Sequence, residues 1–294
     1  SDEGVRKALF DAMDYELLFV LINGRDAHAR ASALAFTLLR ALVVLPAKAP
    51  TFVRLDGYNK LGEVLPCSSP APDSLRDVYR RLWVMIIGEV RDEGPKSRDA
   101  TVAWLEEACK LGNVDSLNLK AVGTLLDLTA RVVASAGADA ARAPVGSGTD
   151  LDIAAEALGI LATMYDISAG FCAAWKQMDR NFGTTGPVLF AKLMNLLRST
   201  QEYDVLVSGD EDASPIESKT ESALGVLVRA AATLVSLRLD EMLTRDVLAL
   251  PRLDAVLQDG MGASTSNHIL RMLLVRGRGE EDEWPKWSGN LLIN

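Results

Sequence analysis

Side chains able to do chemistry are few and scattered in this chain. There are two histidines, His28 and His268, and neither has a second His or a Cys at metal-ligand spacing. A His-dependent triad would have to use one of them. Ser32 lies one turn from His28, but at the start of a helix expected to be buried, so both histidines are read as surface or capping residues. Cys67, Cys109 and Cys172 are far apart, odd in number and form no CxxC pair. They predict reduced, mostly buried thiols in an intracellular protein. PVGSGTD, around Gly146 and Gly148, lacks the third glycine and the preceding strand of a dinucleotide fingerprint. NFGTTGP, 181–187, lacks the lysine of a phosphate loop. Both are read as turns. Carboxylates cluster at Asp210, Glu211 and Asp212 and again over 280–283, without the alternating ligands and turn glycine of a calcium loop. They read as solvated acidic runs able to recruit a basic partner, with Ser208, Ser214, Ser218 and Thr220 beside them as candidate phosphorylation sites. No catalytic, cofactor-binding or metal-ligating residue is assigned, no cofactor is expected, and no small-molecule substrate is expected.

The residues that would position any site are helix formers. Of 294 residues, 49% are hydrophobic and 24% charged, but only 6% are aromatic. Abundant Leu, Ala and Val suit helix-on-helix packing, where small and branched side chains let axes approach. The net charge of −9 and the scatter of the arginines disfavour nucleic acid and anionic membrane surfaces as partners. No apolar run is long enough to span a bilayer, so no membrane insertion is expected. The expected location is the cytoplasm. The opening SDEGVRK, without Met, is read as the start of a segment excised from a longer protein.

Apolar periodicity predicts a helix over 2–22, carrying Val5, Leu9, Met13 and Leu17, and another over 31–45 that is apolar on almost every side and closed by Pro46 and Pro50. A short turn over 52–55 and a helix over 58–65 follow. Asp73 or Ser74 caps a helix with Leu75, Val78, Leu82, Ile86 and Val90. Further helices are expected over 100–111, from a cap at Asp115 through Leu119, Val122, Leu126, Thr129 and Val133, and from a cap at Thr149 or Asp150 to near Tyr165. Others follow over 167–178, 188–197 and 219–243, with short ones over 253–257 and 267–275. Residues 135–149 and 202–218 read as flexible inserts.

Two stretches about 120 residues apart, Ala31 to Val53 and Leu151 to Ala173, share a small-residue-rich apolar helix, a break, and a segment with Phe (Phe52, Phe171); this equals three units of about 40 residues. TFVRLDGYNKLGEVL, 51–65, resembles the armadillo pattern of an apolar residue and Gly ahead of a helix x-x-L-x-x-L-L, with Gly57, Leu61, Val64 and Leu65 in those places. GPVLFAKLMNLL, 186–197, looks like a second copy, with Leu189, Leu193, Leu196 and Leu197. The resemblance to the armadillo/HEAT superfamily covers roughly Val5 to Val275 and implies an all-α, right-handed superhelical solenoid of about five to six degenerate repeats over 1–277, with a non-repeat tail over 278–294. A solenoid with long polar inserts is also similar to the N-terminal regions of large BEACH-type trafficking scaffolds.

The function this implies is protein–protein scaffolding through the solenoid groove. Helical phase nominates Arg40, Arg80, Asn118, Asp127 and Lys192 as groove positions. Trp284 and Trp287 lie beyond the last periodic helix and either cap the stack or dock to another domain or chain. The alternatives are a regulatory module that binds a small GTPase or a cytoskeletal or trafficking protein, and an all-helical enzyme.

Overall fold

The computed structural model describes residues 15–23, 29–44, 48–66, 72–87, 98–110, 117–180, 188–200 and 222–245. These residues are all-α: among them there is no strand, only an isolated bridge between Pro144 and Ser222. The chain divides into two units, residues 1–128 and 129–294.

The first unit begins with α1 (Tyr15–Asn23), which buries Tyr15, Leu18, Phe19 and Ile22. That i, i+3, i+4, i+7 set is one face of a helix. α2 (Ala29–Val44) packs on α1, and Ser32 Oγ donates to Ile22 O at 3.1 Å. Residues 52–55, expected as a turn, belong largely to a helix, α3 (Ala49–Arg54). Pro50, expected to stop the preceding helix, sits in the first turn of α3, where its missing N–H has no helical acceptor to lose. Pro72 does the same for α5 (Pro72–Ile87), so Asp73 and Ser74 lie inside the first turn instead of capping it.

Phe52, with no exposed surface, is the hub of this unit. Its ring lies 5.3 Å from Tyr15, 6.0 Å from Phe19 and 4.8 Å edge-on from Tyr58. α4 (Gly57–Val64) follows directly, after Asp56 in the left-handed region (φ 57°). A Cβ at Gly57 would fall 2.5 Å from the Phe52 ring, so this position accepts no side chain. α5 places Leu75, Val78, Leu82 and Ile86 inside as the periodicity predicts, while Val90, expected on the same face, lies outside the described residues. It is fastened to α2 by Arg81, which donates to Ala33 O and to Thr37 Oγ1, pairs with Asp77 and lies over the Phe36 ring at 5.8 Å. α6 (Arg98–Lys110) packs on α5.

The unit boundary falls within α7 (Leu119–Ser135), whose Leu119, Val122, Leu126, Thr129 and Val133 are all buried as read. The second unit is built on α9 (Asp150–Ile167), which packs most heavily on α12 (Ala223–Arg245). Leu151, Ala154, Ala157, Ile160, Leu161 and Met164 are all buried and go most of the way round α9, matching its nearly all-apolar sequence. Ser168 closes α9, and its Oγ accepts from Phe171 N at 3.2 Å to start α10 (Ala169–Arg180) with the axis turned by 104°. Tyr165, Phe171 and Trp175 form a second aromatic cluster there. α11 (Val188–Ser199) packs on α10 and α12 and buries Leu189, Leu193, Leu196 and Leu197. Residues 135–149, expected as a flexible insert, include α8 (Ala138–Arg142) and a turn tied to the start of α12 by Ala223 N donating to Ala143 O at 3.0 Å. The residues 202–218 and 278–294 and the short helices expected over 253–257 and 267–275 lie outside the described residues.

Candidate functional site

The turn that most resembles an anion-binding loop is filled by the chain itself. Gly146 and Gly148 adopt positive φ (82° and 71°), which aims their amides inward. Gly146 N donates to both oxygens of the Asp152 carboxylate at 3.1 Å, and Gly148 N to Oδ2 at 3.1 Å. Thr149 caps α9 by accepting from Asp152 N at 3.4 Å. A carboxylate in this amide cradle at a helix N-terminus satisfies the donors that a phosphate would otherwise use. The reading of PVGSGTD as a turn stands, with the added role of locking the start of α9.

Asn118, nominated as a groove contact, is a strut. Its backbone N donates to Ile86 O at 2.7 Å and its Nδ2 to the Tyr58 hydroxyl, while Thr124 Oγ1 donates to Tyr58 O at 3.0 Å. Burial pushes the Tyr58 phenol up to about 12, with the Asn118 hydrogen bond a smaller opposing effect. Asp127 stands on the same seam: a Cβ at Gly62 of α4 would lie 3.1 Å from its carboxylate. Asn118 and Asp127 thus help join α4 to α7.

Arg40 is not a surface residue. It is 5% exposed, on the same side of α2 as Phe36, Leu39 and Val43, which are buried as well. Arg80 on α5 and Lys192 on α11 are half-buried and fall in different units. Trp284, Trp287, His28 and His268 lie outside the described residues. Among the described residues no group of three or more His, Cys, Asp or Glu is placed to hold a metal, and no single helix is long and apolar enough to cross a membrane.

The surface feature that sequence reasoning missed is on α1 and α2. Leu17 is 57% exposed, Val20 66% and Leu34 58%. Leu17, expected on the core face, is therefore on the outside. Val5, Leu9 and Met13 lie outside the described residues, and at about 100° per residue Leu17 falls off the stripe set by Tyr15, Leu18, Phe19 and Ile22. Helical phase and three fixed contacts order this surface. Lys60 of α4 pairs with Glu16 at 2.9 Å, so α4 flanks α1 on the Glu16 side. Arg81 of α5 grips Ala33 and Thr37, so α5 flanks α2 on that side. Between these flanks, at about 100° per residue, Val20, Leu17 and Leu21 follow on α1 and Leu38 and Leu34 on α2. The antiparallel register set by Ser32 and Ile22 brings Leu34 level with Val20. The result is one aliphatic strip across two packed helices. Among the side chains described on α1 and α2 only Glu16 and Arg40 carry charge; the first is paired and the second buried.

Compared with known proteins, the chain matches no family model, no curated protein and no solved structure.

Proposed function

We propose that this chain is a protein-interaction scaffold that works by surface contact, and that the aliphatic strip of α1 and α2 is its principal contact surface. The observation that carries the reading is the exposure of Leu17, Val20 and Leu34 on two helices whose described side chains include one surface charge, Glu16. Depletion of charge around exposed aliphatic side chains characterises the centre of a protein interface, whereas an ordinary helix surface carries interspersed Lys, Glu, Asp and Arg. A two-helix groove of this kind accepts a third helix through anchors spaced i, i+3/i+4, i+7.

The scale of the effect follows from the exposures. Fully burying a Leu or Val side chain stabilises by about 1.5–3 kcal/mol, so covering three that are already partly buried contributes roughly 3–5 kcal/mol in all. About 4 kcal/mol corresponds to about a thousandfold in Kd. An armadillo/HEAT-like right-handed solenoid of five to six repeats is the proposed frame. It is supported by the burial of Leu61 and Leu65 in one armadillo-like segment and of Leu189, Leu193, Leu196 and Leu197 in the other.

The test is a quantitative pulldown with the full chain, with Arg80→Glu and with Leu17→Ser/Val20→Ser/Leu34→Ser, each protein retained being measured against all three baits. Proteins bound by the wild type and by Arg80→Glu but lost from the triple variant are the expected result. Identical profiles for wild type and triple variant would remove the strip from the function.

A further inference from the structure

We draw no further inference here: the strongest candidate, the exposed aliphatic face of α1 and α2 carried by Leu17, Val20 and Leu34, is an unpartnered apolar surface belonging to the site already described, and nothing in the structure shows what covers it.

Discussion

Gly57→Ala tests the arrangement that turns α1 outward. The strip is exposed because Tyr15 and Phe19, on the opposite side of α1, are held against Phe52. The new methyl would sit 2.5 Å from Cδ2 and Cε2 of Phe52 and 2.7 Å from Cζ. Ordinary carbon contact begins near 3.5 Å, so the ring must retreat by about 1 Å. It has nowhere to go without displacing Tyr15, Phe19 or Tyr58, whose ring centres lie 5.3, 6.0 and 4.8 Å away. Overpacking a filled core costs typically 1–3 kcal/mol, and this fully buried site belongs at the upper end, about 3 kcal/mol. Phe52→Leu alone should cost about 1–2 kcal/mol through lost volume and ring contacts. Combined, the two changes should cost less than their sum, because leucine vacates the space the methyl needs. The coupling should favour the double variant by about 1–2 kcal/mol. Urea unfolding of the four proteins in a double-mutant cycle measures this. A neutral Gly57→Ala, or strict additivity, would refute the packing described for Phe52 and with it the reason α1 turns Leu17 and Val20 outward.

Three further outcomes follow from the same geometry. Asp152→Ala should destabilise the second unit by about 1–2 kcal/mol in urea unfolding, since three charge-assisted contacts in a partly exposed turn and a favourable helix-dipole interaction are lost; Asp152→Asn should cost about half as much. Gly159→Ala should stabilise by about 0.5–1 kcal/mol by thermal unfolding, because a Cβ there meets nothing within 4 Å and mid-helix glycine is entropically costly. Tyr58 should stay un-ionised in the native protein until pH reaches about 12, read by ultraviolet difference absorbance. With the folded pKa above the unfolded 10.0, its contribution is complete below pH 10 and is lost as pH rises through 12, about 2–3 kcal/mol in all; stability that did not fall over that window in the wild type more than in Tyr58→Phe would contradict the burial of the phenol.

Helices were legible in the sequence wherever apolar residues kept to one face. Leu75, Val78, Leu82 and Ile86 mix a spacing of three with spacings of four, stay on one face at 3.6 residues per turn, and are all buried. The set ending at Leu17 misassigned the outer face of α1, where Leu17 falls off the stripe set by Tyr15, Leu18, Phe19 and Ile22. A better signal was available on that helix: YELLFVLIN has more large apolar residues than one core-facing stripe can hold, so some had to lie outside it. Arg40 misled for the opposite reason. A lone charge on an apolar helix reads as solvent-facing, yet Phe36 four residues before and Val43 three after lie beside it and are buried. The Asp152 cradle combines positive φ at two glycines with a carboxylate four to six residues on, a closure that local propensity does not reveal. Asn118 and Asp127 act across 60 or more residues of sequence, on Tyr58 and Gly62, and no local pattern reports such a pairing.

Photo-cross-linking from the strip tests the proposed function most directly. A benzophenone side chain at Val20 or Leu34 in the full chain should join covalently to a protein on irradiation in cells, giving an adduct heavier than the 31.7 kDa of the chain itself. The same group at the exposed Ala103 or Glu107 of α6 should give none. Equal adducts from all four positions, or none from Val20 and Leu34, would contradict a contact surface on α1 and α2.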